Sequence, residues 1–407
     1  MTTSAEVLAG INVSINFEAG PAFVIPFTLD DPVFGRLDYN ELASDSALTI
    51  DYTARTTNIN IRRGRDILQD AYNAGQATVR ILDPDGDFNP QNIDSPIYGY
   101  VTTGRKLRIS HDIGYGVNYL FTGYISDYRY TFPQGQETGY VTITAFDAFK
   151  LFNTSAITTV TGAAAGDATG ERIWQILDEI GFPADMREYR GSSAGLTTVQ
   201  ADDGTSRSAL TAIRLAEISE YGAFFINPEG NAIFCDRGYV YAPGTSTWYF
   251  SNDPLIYGSP YQNIKFAFDD KRLYNSATIT REGGSPQTYS DTASIDEYFL
   301  HSYTQSNLIM RHNAEALLLA EGYVEARKDN DIRIDSITVD VLASDIYLEF
   351  ISDIDYFTGM DITNVTPQGS IVQKSLQVQG IAHDITPTSW NITYTTLEPL
   401  IVSEYWL

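Results

Sequence analysis

The sequence predicts a mainly β chain with α+β insertions: two β-rich regions flanking a small α+β module. Three observations predict this. Tyr (27) and Phe (20) are abundant among the 407 residues, and aromatic residues favour pleated, half-buried surfaces. Runs of period-two alternation recur at both ends of the chain. Helical spacing is confined to the middle and to one later stretch. Hydrophobic residues make up 43%, enough for packed cores, so disorder is not expected.

The first region extends to about residue 155. Ile59-Asn60-Ile61-Arg62 and Val141-Thr142-Ile143-Thr144-Ala145 alternate, and Tyr128, Tyr130 and Phe132 mark another period-two face. Between the strand Ala77–Ile81 and the strand Lys106–Ile109 lies Asp83-Pro84-Asp85-Gly86-Asp87-Phe88-Asn89-Pro90, continuing through Ser95-Pro96. Pro, Gly, Asp and Asn at this density specify turns.

Residues 156–240 form the middle module, entered through the small-residue run Thr161–Gly166. Ile173, Ile176, Leu177 and Ile180 share one helix face, and Gly181 and Pro183 stop that helix. A second helix opens at Ser208, a good N-cap, carries Ala209, Ala212, Ile213 and Ala216, and ends at Gly222. A hairpin follows, with Asn227-Pro228-Glu229-Gly230 as its turn.

Strands return over 241–407, around a helical insertion near 309–328 with Ala314, Leu317, Leu318 and Val324 as its apolar side. Arg327 and Lys328 suit the C-terminal end of that helix. A faint repeat links the two ends. Gly104, the strand Lys106–Ile109, Phe121-Thr122-Gly123-Tyr124-Ile125-Ser126-Asp127 and Val141–Thr144 come in the same order as Gly359, Asp361-Ile362, Val378-Gln379-Gly380-Ile381-Ala382-His383-Asp384 and Asn391–Tyr394. Such an order points to a duplicated domain.

Net charge is −26. That balance disfavours an ordinary nucleic-acid binder or an anionic-membrane binder. Lone Cys235 excludes an internal disulfide framework and a Cys-rich zinc site, and its apolar neighbours predict a buried structural thiol. The N-terminus has no basic leader region and no apolar run approaches ~18 residues, so a soluble chain without membrane anchoring is expected.

Candidate chemistry is sparse. His111, His301, His312 and His383 lack metal-ligand spacing. Asp83, Asp85 and Asp87 alternate like a calcium loop, but Phe88 and Asp94 stand where Gly and Glu are needed, so a turn is expected. Gly191-Ser192-Ser193-Ala194-Gly195 has the nucleophile-elbow pattern without its strand-to-helix context. Arg62, Arg63 and Arg65 are the clearest basic cluster, either a grip on a partner's carboxylates or phosphate or a solvated strand end with local pairs. Asp202-Asp203 carries no glycosidase signal in so acidic a chain. No catalytic, cofactor-binding or metal-binding residue is assigned, no cofactor is expected, and no enzyme activity is expected.

Several strings, in order, resemble the minor tail proteins of siphophages, in particular the tail hub family related to phage baseplate hubs. They include Asp31-Pro32-Val33-Phe34-Gly35-Arg36-Leu37-Asp38, Ile61–Arg65 followed by Ala74–Val79, the Leu82–Pro90 turn with Ser95-Pro96, and Phe121–Ile125. Val141–Ala148, Gly170–Ile173, Asn227–Gly230, Tyr274–Arg281 with Gly283-Gly284, and Gly380–Pro387 continue the series. The resemblance covers about residues 25 to 400. It implies two tail-tube-like β-barrel hub domains, 1–155 and 241–407, around the α+β module 156–240. It also implies a homotrimer forming a pseudo-sixfold ring in the virion tail tip. Expected partners are the distal tail protein, the tail tube, and tape-measure or fibre proteins, with DNA only in transit through the lumen. The competing reading is a receptor- or carbohydrate-binding tail-tip protein, motivated by Trp248-Tyr249-Phe250 and Tyr405-Trp406; core and interface packing explain such aromatics more often.

Overall fold

The computed structural model describes residues 10–17, 49–65, 71–112, 116–132, 138–191, 194–241, 247–343 and 354–398. The Asp31–Asp38 string, Ser192, Ser193, Tyr405 and Trp406 lie outside them.

The first half holds β1 (Ile11–Asn16), β2 (Thr49–Asp51), β3 (Thr56–Gly64), β4 (Asn73–Asp83), β5 (Lys106–Asp112), β6 (Val117–Thr131) and β7 (Gly139–Phe146). They are ordered β3-β4-β7-β6-β5-β1-β2. Alternation decides their faces: along β7, Val141, Ile143 and Ala145 point into the core while the intervening threonines do not. β2 pairs with β1 and runs through residues 52–55 into β3. Tyr52 N–H donates to the Val13 carbonyl at 2.8 Å and holds that connection against β1.

The middle module follows: α1 (Phe149–Thr154), β8 (Ala156–Ile157), α2 (Thr169–Glu179), β9 (Arg187–Arg190), β10 (Arg207–Ser208), α3 (Ala209–Glu220), β11 (Ala223–Ile226), β12 (Ala232–Cys235) and α4 (Arg237–Tyr241). Ile173, Ile176 and Leu177 are buried, whereas Ile180 is the half-buried residue at which α2 ends. Ser208 caps α3 by accepting from Thr211 N–H at 3.1 Å. Tyr221, not Gly222, takes the left-handed conformation that ends α3, with φ 61°. Its ring stacks on Tyr241 and its hydroxyl accepts from Arg327, which offsets the backbone cost.

The second half begins with β13 (Thr247–Ser251) and β14 (Asn263–Ala267). An inserted unit then carries β15 (Ser276–Arg281), β16 (Gln287–Ser290), α5 (Thr292–Tyr298), β17 (Ser302–Leu308) and α6 (Asn313–Glu325). This insertion has its own three-stranded sheet, so the Ala277–Thr280 strand is not part of the large one. The half resumes with β18 (Arg333–Asp340), β19 (Gly359–Val365), β20 (Ile371–Thr386) and β21 (Ser389–Leu397). Its order is β14-β18-β21-β20-β19-β13.

The two orders match over six strands; β2 has no counterpart, and β13 pairs parallel with β19 where β1 pairs antiparallel with β5. β4-β7-β6-β5 and β18-β21-β20-β19 are equivalent runs, each with a meander of three consecutive strands. Both meanders carry a bulge at one place: Ser126 is skipped where β6 passes β7, and Gln379 where β20 passes β21. Each first half-strand pairs one neighbour and, past the bulge, turns to the other. The repeat expected from sequence is therefore present, with a corrected register. Gly123 and Gly380 are not equivalents; past the bulges, Asp127 faces Thr144 and Gly380 faces Thr395. A bulge, not a shared glycine, fixes the position. Both halves join one sheet through antiparallel pairing of β20 with β3, and one hydrophobic core runs through them.

Candidate assembly surface

The junction of the halves is built from β3 and β20. Ile381 faces Arg63, His383 faces Ile61, and Ile385 faces Ile59. The strands come close at Gly64, with φ 113°, where an added Cβ would lie 2.3 Å from Gly380 Cα. Only glycine fits that backbone angle and that approach.

Side chains lock the junction. Arg63 is 6% exposed at its side chain, lies 3.5 Å from the Asp355 carboxylate and sits over the Tyr356 ring at 5.2 Å. Burial works against its charge, but Tyr356, Asp355 and Glu229 outweigh it and hold its pKa above the ordinary value. Arg65 donates to Gln379 Oε1 at 2.9 Å, and Tyr72 donates to the same oxygen at 2.9 Å. Arg190 of β9 approaches Asp355 at 3.9 Å and so brings the middle module to the same place. The arginine cluster is thus largely internal. Arg63 and Arg65 bind this chain's own second half, and of the three Arg62 alone is exposed.

Next to this cluster, His383 forms a buried aromatic contact between the halves with His111 of β5 and Trp390 of β21. Ring centroids of His111 and Trp390 lie 5.7 Å apart, and Trp390 Nε1 donates to His383 Nδ1 at 3.3 Å. Burial lowers the His111 pKa to about 4. Burial, then Arg63 and His111, lower that of His383 to about 3. Both imidazoles are neutral at pH 7, and His111 has no hydrogen-bond partner among the described residues.

The acidic turn is a structural plug. Asp83 accepts from Asp87 N–H at 2.8 Å and Phe88 N–H at 3.2 Å. Arg55 spans Asp85 at 3.0 Å and Asp87 at 2.9 Å. Phe88 is thereby held against Tyr52 with ring centroids 4.9 Å apart, and Tyr130 donates to the Phe88 carbonyl. These carboxylates are engaged as a turn requires.

In the middle module, Glu217 and Glu220 are buried and organise the loops around them. Glu217 accepts from Phe224 N–H at 2.8 Å and from Arg214 at 2.6 Å. Glu220 accepts from Thr169 Oγ1 at 2.8 Å and Thr197 N–H at 2.8 Å. Both were missed in the sequence, although Ile213, Ala216, Glu217 and Glu220 share one helical stripe. The strand β9 does lead into Gly191, but bends and isolated bridges, not a helix, follow Gly195, so the strand-to-helix context of an elbow is absent. Cys235 is buried on β12 and burial raises its thiol pKa.

Within the two equivalent runs of the large sheet, the edge of β6 past Ser126 and the edge of β14 away from β18 have no strand beside them among the described residues. Near them the surface is apolar, with Phe132, Phe266 and Phe268 exposed. Tyr249 and Tyr257 form a separate exposed pair with ring centroids 5.3 Å apart. No helix among the described residues is long and apolar enough to cross a membrane.

No family model matches the sequence, and no curated protein sequence matches it. Solved structures do. A tail protein from Neisseria meningitidis MC58 aligns with a TM-score of 0.59 at 10% identity, over 87% of this chain and 95% of that one. The 43 kDa tail protein of prophage MuSo2 from Shewanella oneidensis aligns with a TM-score of 0.55 at 12% identity, over 86% of this chain and 96% of that one. The chain has the mainly β fold of these phage tail proteins, in agreement with the resemblance read from its sequence.

Proposed function

We propose that the chain is a structural hub protein of a bacteriophage tail, without catalytic activity. Three copies form a pseudo-sixfold ring that joins the tail tube and distal tail to the tail tip and leaves a lumen for DNA. The observation that carries this reading is the repeated strand order of the two halves and their fusion into one sheet. Two similar units per chain and threefold closure supply six similar units, which match a sixfold tube while the hub stays threefold. Units 1–155 and 241–407 are the barrels of that ring, and 156–240 with the inserted β15–α6 unit lies outside it. A charge of −26 per chain suits a channel through which DNA slides without sticking. The partners of this hub are the distal tail protein, the tube and the tape-measure or fibre proteins. It is made in the host cytoplasm and resides in the virion tail. Exposed aromatics such as Tyr257 serve contacts with those partners.

Mass in solution tests the homotrimer. The purified chain, 45.1 kDa, is expected to run at three times that mass by light scattering; a single-chain mass at every concentration contradicts the ring.

A further inference from the structure

Within one chain, the edge of β20 past its bulge is covered by β3. Its equivalent, the edge of β6 past Ser126, has no strand beside it among the described residues. The equivalent of β3 is β14, and its outer edge is also uncovered. One half thus leaves a β20-like edge open and the other leaves a β3-like edge open.

We infer that β6 of one copy pairs antiparallel with β14 of the next, reproducing between chains the β20–β3 junction found within each chain. This rests on the ring proposed above and names its contact. Three β20–β3 junctions and three β6–β14 junctions then alternate around six units. A head-to-tail contact gives a ring when its rotation closes, as three copies would here, and backbone pairing at an open edge is an established mode of association.

The ladders fix the register. Thr144 faces Asp127 just past the first bulge and Thr78 on its other side, and Thr78 faces Asn60. Thr395 faces Gly380 just past the second bulge and Ser336 on its other side, and Ser336 faces Lys265. Asn60 and Lys265 therefore hold the same place, as do Asp127 and Gly380. Within the chain, Asn60 faces Asp384, Ile61 faces His383 and Ile59 faces Ile385. Between chains, Lys265 then faces Thr131, Phe266 faces Tyr130, Ala267 faces Arg129 and Ile264 faces Phe132.

Burial agrees with this assignment. Ile385 and Ile61 are both 0% exposed in the internal junction, whereas their counterparts Phe132 and Phe266 are 67% and 39% exposed. Pairing two copies would cover both rings. In the separate chain the edges are guarded by charge and irregularity: Arg129 and Lys265 are exposed, and a bulge falls at Lys265 and Phe266. Such devices keep an open edge from pairing at random.

Cysteine pairs in the full-length chain test the contact. Residues directly opposite across an antiparallel pair have Cβ atoms about 4.5–5.5 Å apart, near disulfide range. Arg129→Cys with Ala267→Cys, and separately Thr131→Cys with Lys265→Cys, are expected to give a reductant-sensitive covalent trimer on oxidation. Arg129→Cys with Asn263→Cys, out of register, is expected to give none. Arg129, Thr131 and Lys265 are exposed and Ala267 is half-buried, so none of the four substitutions opens the core. A chain of trimeric mass that neither matched pair cross-links overturns this contact and leaves the ring standing. A chain that stays monomeric and uncross-linked at high concentration overturns both.

Discussion

His383 lies where the two halves meet, packed with Trp390 and near Arg63 and His111. Its folded pKa, about 3, is below the ordinary 6.5 because burial disfavours the cation. A histidine shifted this way binds fewer protons folded than unfolded between those values. Its contribution to stability is therefore complete above pH 6.5 and is lost as pH falls toward the folded pKa. Asp147 pulls the opposite way: it is buried, its pKa is raised to about 7, and its penalty grows as pH rises from about 4 to 7. Comparison of variant with native chain isolates the histidine. His383→Asn keeps an acceptor for Trp390 and is expected to lose less stability than the native chain between pH 6.5 and 4. Each unit of retained shift corresponds to about 1.4 kcal/mol. Denaturation midpoints measured across that range check it, and equal slopes would contradict it. At this scale the sequence was only partly legible. The Asp83–Pro90 turn and the Ser208 cap could be read because their chemistry is local. The partners of Arg63 and Arg65, by contrast, are Asp355 and Gln379, nearly three hundred or more positions away, and no local pattern announces them.

Strands with one buried face were legible because alternation records which side meets the core; β7 and β21 follow it along their length. Helix α6 was less so. Apolar residues surround it, so periodicity alone selects no face. The sequence suggested Ala314, Leu317, Leu318 and Val324. The buried set is instead Ala316, Leu319, Ala320, Tyr323 and Val324, chosen by packing on β15 and Tyr221. Arg327 completes that face, lying 3.9 Å from the Tyr323 ring centroid. Leu319→Ala is expected to cost about 2–5 kcal/mol by leaving a cavity. Leu317→Ala, at a 41% exposed position, is expected to cost under about 0.5 kcal/mol. Chemical denaturation of both full-length variants decides it; equal losses would mean the helix is docked by the other face.

At the scale of the molecule, the duplication was visible as an order of short strings and not as an alignment. Ladder register and bulge position are the conserved geometry between the halves, and many residue types satisfy them, so identity between the copies is faint. The large insertion between β14 and β18 further hides the second copy. What the whole fold adds is an asymmetry: one junction is made inside the chain, and the strands equivalent to it are left open. That asymmetry is the basis of the proposed contact between copies. The most direct measurement is single-particle imaging of the purified chain with class averages tested for symmetry. The account predicts a ring with threefold symmetry, an open centre and six similar lobes; averages showing single compact particles, or a ring of any other order, would contradict it.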